Sequence, residues 1–138
     1  MNTYVDSSVV LRLTFGEARP LLEWANIERF VASALLVVEC FRAVDRLRFH
    51  GRYSDEDIAG RYATLRQEIS SVNLVDITTE IIERAAQPFP TALKTLDSLH
   101  LATAMSWRER EEPGLFFATH DHSLGLAARA LGFPVLGL

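Results

Sequence analysis

The chain has 138 residues, 49% of them apolar and 23% charged, with a net charge of −4. That length and composition suit one domain, residues 1–138, with one core, and the charge argues against nonspecific binding of nucleic acid over the whole surface. An apolar run long enough to span a membrane, a signal-peptide pattern and a disulfide framework are all missing, Cys40 being the lone cysteine, so the expected home is a reducing cytoplasm.

The chain opens on Thr3-Tyr4-Val5-Asp6-Ser7-Ser8, a short strand that ends in an acid, Asp6, which with Ser7 and Ser8 makes three residues of N-cap type. A helix is predicted from Ser7 to about Leu13, broken by Phe15-Gly16-Glu17. Leu21, Leu22, Trp24, Ala25 and Ile27 then show helical spacing. Residues 29–32 read as a second, buried strand, with Ser33 capping a helix that runs from Ala34 to about Phe49 and stops at Gly51. Ser54, followed by Asp55, Glu56 and Asp57, opens a helix to about Ile69.

Residues 72–77 alternate as a third strand, and Thr78 starts a short helix that ends before Pro88-Phe89-Pro90. Thr95 is placed as the cap of a helix from Leu96 to about Arg108, apolar almost all round and therefore expected to be largely buried. Residues 115–119 form a fourth strand. Asp121 caps a helix from His122 to Leu131, and residues 133–136 form a fifth strand at an edge, because Pro134 cannot donate to a ladder. Strands separated by helices imply an α/β fold: a three-layer α/β/α sandwich around a mainly parallel, roughly five-stranded sheet.

Four acids stand out in this plan. Asp6 and Asp121 each follow a strand and precede a helix, where an aspartate serves as a cap and where open α/β sheets also place their ligands. Glu39 and Asp97 sit inside apolar helices, where an unpaired charge is costly. Glu39 has Arg42 and Arg46 as possible partners on its own helix; Asp97 has an arginine pair or a capping role as its alternative. Four carboxylates brought together repel one another unless a hard cation joins them. Mg²⁺ or Mn²⁺ takes such oxygen ligands, and a carboxylate-held ion can activate water and stabilise charge in phosphodiester cleavage.

Other residues offer weaker signals. His100 lies one turn from Asp97 and reads best as a structural histidine bonded to a neighbour. His120 and His122 read as solvent-side loop residues. Thirteen of the 14 basic residues are arginine, Lys94 being the only lysine, and Arg42, Arg46, Arg48, Arg52, Arg61 and Arg66 crowd one helical pair. Acids dilute them, so a solvated face or a partner interface is the preferred reading over an RNA-facing patch.

In order, the pieces Tyr4-Val5-Asp6-Ser7-Ser8, Ser33 with Glu39 and Arg42, the stretch from Leu96 to Ala104, and Thr119-His120-Asp121-His122-Ser123-Leu124 with Ala127, Ala128 and Gly132 resemble the PIN-domain ribonucleases. The resemblance covers essentially the whole chain and is nearest to the VapC-type toxins. It implies that Asp6, Glu39, Asp97 and Asp121 are the acidic, metal-binding and catalytic set, with Ser7 and Thr119 in support. It also implies Mg²⁺- or Mn²⁺-dependent endoribonuclease activity, a homodimer, and the toxin role in a type II toxin–antitoxin system with a cognate antitoxin as partner. The rival readings are a catalytically idle PIN-like module that binds RNA or a partner, and a phosphatase or phosphoacceptor using Asp6. The second is disfavoured, since position 8 is serine where a phosphatase of the haloacid type wants a second aspartate, and Lys94 precedes the fourth strand where a receiver domain wants a late lysine; the lack of a glycine-rich phosphate loop speaks against nucleotide-driven functions.

Overall fold

Alternation along one short strand builds two cores. In the computed structural model, which describes residues 1–17 and 20–138, β1 (Asn2–Val5) lies at the centre of the sheet. Tyr4 is fully buried on one face and Val5 on the other, as the period of a strand requires. β2 (Arg29–Ser33) pairs with β1 in parallel, with Val31 beside Tyr4. β3 (Val72–Val75) lies outside β2. On the other side of β1, β4 (Phe116–Ala118) sets Phe117 beside Tyr4 and Ala118 beside Val5, and β5 (Val135–Leu136) closes that edge. All four pairings are parallel, in the order β3-β2-β1-β4-β5.

Helices cover both faces, as an all-parallel sheet demands. α1 (Ser7–Thr14), α2 (Leu35–Arg46) and α3 (Asp55–Ser70) deliver Val9, Val10, Leu36, Cys40, Val44, Ile58 and Leu65 to the core around Val5. α5 (Thr95–Arg110) and α6 (His122–Ala130) deliver Leu101, Ala104, Leu124, Ala127 and Ala128 to the core around Tyr4 and Phe117, whose rings stack at 5.2 Å. α4 (Thr79–Ala85) packs on α5 and buries Ile81. The α/β sandwich with a five-stranded parallel sheet is therefore the expected one, with β5 at its edge. Among the described residues, no helix is long and apolar enough to cross a membrane.

The departures from expectation are local. The spacing from Leu21 to Ile27 forms only one 3-10 turn, Trp24–Asn26, because the chain must straighten at Ile27 to enter β2. The long second helix ends as α-helix at Arg46 and tightens into a 3-10 turn, Leu47–His50, before Gly51 at φ 64°. β3 stops at Val75, since Thr78 accepts from the Ile81 N–H to start α4. Thr95 is not a cap: it is the first residue of α5, and its carbonyl accepts from the Ser98 hydroxyl at 2.7 Å. Ser33 is likewise not the cap: it ends β2, Ala34 takes the N-cap position, and the Ser33 hydroxyl oxygen still accepts from the Leu35 N–H at 3.2 Å. Cys40 is a buried free thiol, pushed up to about 12 by burial and then by the charges of Glu39, Asp6 and Glu68.

The orientation of α5 is testable. Leu101 is 0% exposed against the sheet, whereas Leu96, five residues earlier and so on a different face of the helix, is 44% exposed. Leu101→Ala is expected to lower unfolding free energy by about 2–5 kcal/mol, the range for a buried leucine. Leu96→Ala is expected to change it by less than about 0.5 kcal/mol. Urea denaturation of both variants checks the pair, and equal effects would mean that α5 is rotated about its axis.

Candidate active site

The chain order runs from β1 out to β2 and β3, then returns across β1 to β4 and β5. In open α/β sheets such a reversal makes a crevice outside the carboxyl ends of the strands beside it, here β1 and β4, and that is where ligands are held. Asp6 follows β1 directly. It is 4% exposed and caps α1 by accepting from the Val9 N–H at 3.4 Å. Its two carboxylate oxygens each take a hydroxyl: Ser8 donates to Oδ1 at 2.6 Å and Thr119 donates to Oδ2 at 2.9 Å. The same two hydroxyl oxygens accept from the backbone N–H groups of His120 and Asp121, both at 2.9 Å. Asp6 is thereby tied to the loop between β4 and α6.

Asp121 stands on that loop and caps α6, accepting from the Leu124 N–H at 2.8 Å. For Asp6 and Asp121, then, capping and position at the crevice go together. Asp97 lies in the first turn of α5, half-buried, and its charge is disfavoured by burial first and then by Asp121 and Asp6. Lys94 and His100 oppose that shift, but neither forms an ion pair with Asp97. Glu39, on α2, does not pair with the arginines of its own helix. Arg42 bonds Asp45 at 3.0 Å, and Arg46 Nε donates to the Arg42 carbonyl. Glu39 instead accepts from the Ser7 hydroxyl at 3.2 Å and meets His100 Nε2 in a short contact.

His100 is the structural histidine expected, 1% exposed, with Nδ1 2.8 Å from the Tyr4 hydroxyl. Burial works against its charged form, but Glu39, Asp6 and Asp97 outweigh burial and raise its pKa. Burial raises the pKa of Asp6 as well, against the four donors and charges around it: Ser8, His100, Thr119 and Val9. Tyr4 is pushed well above its usual value by burial, with Asp6 and Glu39 adding to the shift. The four acids thus share one electrostatic neighbourhood. Among the described residues, no lysine or arginine forms an ion pair with Asp6, Glu39, Asp97 or Asp121.

This donor set is all oxygen, and its spacing is open. Among the described residues, no three His, Cys, Asp or Glu side chains stand close enough to enclose an ion unaided. Such an arrangement fits a hard cation that keeps several waters, as Mg²⁺ does, and not a closed site such as tetrahedral zinc. The excess negative charge, raised pKa values included, is what a cation would relieve. Beside Glu39, a groove of about 280 Å³ is lined by Ser7, Val38, Leu96, Arg42 and Arg46. A larger depression of about 570 Å³ lies between the 3-10 turn after α2 and α3, at Arg48, Asp55, Tyr62 and Arg66, and none of the four acids lines it. Charge, not cavity size, marks the site.

Two residues were not legible as partners of the acids. Ser8 takes the place beside Asp6 while Ser7 turns to Glu39, although both are serines in the same short run. Tyr4 reads as a strand residue, yet its hydroxyl reaches His100 across 96 positions. His120 departs from its solvent-side expectation: its Nδ1 lies 2.8 Å from the Gly137 carbonyl and its Nε2 is buried. His122 is exposed at the start of α6, as expected.

Comparison with known proteins sharpens the picture. The chain is 29% identical over 140 residues to Ribonuclease VapC46 of Mycobacterium tuberculosis, a match covering 96% of this chain and 95% of that protein. Two solved structures share its fold at 20% identity. The crystal structure of PAE2754 from Pyrobaculum aerophilum superposes with a TM-score of 0.63, covering 92% of this chain and 79% of that one. A toxin–antitoxin complex from Klebsiella pneumoniae superposes with a TM-score of 0.61, covering 97% of this chain and 95% of the other. The sequence profile of the PIN domain matches residues 3–125, which include all four acids, and the chain therefore belongs to the PIN-domain family.

Proposed function

We propose that this protein is a Mg²⁺- or Mn²⁺-dependent endoribonuclease and the toxin of a type II toxin–antitoxin pair, acting as a homodimer and restrained by an antitoxin protein. The observation that carries the reading is the shared electrostatic neighbourhood of Asp6, Glu39, Asp97 and Asp121, with no lysine or arginine ion-paired to any of them among the described residues. PIN domains are generally metal-dependent nucleases, which supports it. So do the ribonuclease named above at 29% identity and, for the antitoxin, the complex whose fold this chain shares.

Asp6 and Asp97 would be the central cation ligands, with Glu39 and Asp121 bound directly or through water. When bound, the cation lowers the pKa of water and screens charge on the phosphate. The chain's own residues do the rest. Ser8 and Thr119 hold the Asp6 carboxylate in one orientation. Ser7 donates to Glu39. The oxygen of a water molecule bonds to phosphorus, one P–O ester bond breaks, and the strand ends in a phosphate on one side and a hydroxyl on the other. No covalent protein nucleophile is needed.

Asp97→Asn separates this from an idle binding module. It is expected to lower Mg²⁺-dependent cleavage of RNA by at least about 100-fold, the scale on which loss of one electrostatic transition-state contact acts. RNA binding without cleavage by the wild type, unchanged in Asp97→Asn, would favour the idle module.

Metal and pH give a second check by thermal unfolding. The wild type is expected to gain about 2.7 kcal/mol at a Mn²⁺ concentration one hundred times Kd. Asp97→Asn should lose that gain and, without metal, melt higher than the wild type at pH 7. Its sign follows from the raised pKa of Asp97: the charged form is disfavoured in the folded chain, so the cost is present above the folded pKa. That cost fades as pH falls toward the unfolded value of about 3.9, so the gap between the two proteins should close in acid. A gap that widens in acid would contradict the assignment.

A further inference from the structure

Beneath Glu39, two buried polar side chains form a chain of hydrogen bonds that the proposed reaction does not itself use. The Ser33 N–H, at the end of β2, donates to Tyr4 Oη at 3.0 Å. Tyr4 Oη has one proton to give, and His100 Nδ1 stands 2.8 Å away. With Nδ1 accepting, the ring proton sits on Nε2 and is donated to Glu39 Oε1. The other oxygen, Oε2, accepts from Ser7 at 3.2 Å. Each oxygen of Glu39 thus has one donor and keeps a lone pair.

Both nitrogens of His100 are engaged, so it is neither a cation ligand nor a free base. It also lies in the most apolar part of α5, beside Leu101, Ala102 and Ala104, all 0% exposed. A polar ring there is expensive to bury unless its bonds are used. Glutamate is a flexible side chain, and carboxylates that hold metals depend on outer hydrogen bonds to fix them.

We infer that Tyr4 and His100 are positioning residues for the cation: through hydrogen bonds they set the carboxylate of Glu39 from the backbone of the central sheet. The inference rests on the metal-dependent reading proposed above. It makes metal affinity depend on two side chains that touch neither the ion nor RNA.

The test is Mn²⁺ titration by calorimetry, with steady-state RNA cleavage alongside, for the wild type, His100→Leu, His100→Gln and Tyr4→Phe. His100→Leu is expected to weaken Mn²⁺ binding by about 10–100-fold, the range for lost outer-shell support. It should lower kcat while KM for RNA stays near the wild-type value. His100→Gln, which again carries one acceptor and one donor, should recover most of the affinity. Tyr4→Phe, which leaves Nδ1 without its donor, should weaken binding.

Folded His100→Leu that binds Mn²⁺ as the wild type does overturns the relay alone. A wild type that binds no Mn²⁺ overturns the metal reading itself, so the two failures are distinct. Should His100→Leu fail to unfold cooperatively, the comparison of His100→Gln with Tyr4→Phe decides, and equal affinities for those two overturn the relay. Nitrogen-15 chemical shifts of His100 provide a metal-free readout: neutral imidazole protonated on Nδ1 and bare on Nε2 contradicts the bond to Glu39.

Discussion

The structure depends on a buried carboxylate that has hydroxyl partners but, among the described residues, no lysine or arginine bonded to it. Asp6 ends the central strand, caps the first helix and is held by Ser8 and Thr119, one on each oxygen. Hydroxyl donors orient a carboxylate without cancelling its charge, which is why burial still raises its pKa. The same hydroxyls fix the loop that carries Asp121, so the position of one acid is bound to that of another. An arginine in place of either serine or threonine contact would neutralise Asp6 and leave no reason for a cation to bind.

Topology brings the rest to the same place. A parallel sheet sends every strand's carboxyl end to one edge, and the helices that follow begin there. Asp121 caps such a helix, α6; Asp97 lies in the first turn of α5, which follows α4 and leads into β4, and Glu39 lies in the second turn of α2. Side-chain electrostatics then couples them across elements far apart in sequence: Asp97 responds to Asp121 and Asp6, and His100 to Glu39, Asp6 and Asp97. Closure of the β4 edge adds a constraint of its own. Gly137 takes φ 90°, and a Cβ there would stand 2.6 Å from the Thr119 carbonyl, so the segment after β5 can press against the site loop only as glycine.

Much of this plan can be read from residue order, for reasons that are physical. Asp6 and Asp121 are visible because strand-end and N-cap chemistry coincide at the carboxyl edge. Glu39 and Asp97 are visible because acids inside apolar helices demand an explanation. The alternating apolar strands and the capping residue Ser54 place the sheet and α3, and Ser54 forms the reciprocal capping bonds with Asp57. Less legible are choices set by tertiary register. Ser7 and Ser8 differ by one helical step, about 100°: Ser8 meets Asp6 two residues back, and only the docking of α1 on α2 brings Ser7 to Glu39. Tyr4 and His100 pair across the sheet and α5, a contact no local pattern encodes. The single turn at Trp24–Asn26 likewise reflects tertiary demand, since Trp24 packs on Phe30 at 4.5 Å as the chain enters β2.

The central claim is that the four carboxylates form a site for a divalent cation. The most direct measurement is anomalous diffraction from crystals of the wild-type protein soaked in Mn²⁺. The account predicts an anomalous peak in the crevice beyond β1 and β4, bonded to oxygens of Asp6 and Asp97 and within direct or water-mediated reach of Glu39 and Asp121. A soaked crystal with that crevice open to solvent and no peak in it, or with peaks only on other acidic residues, would contradict it.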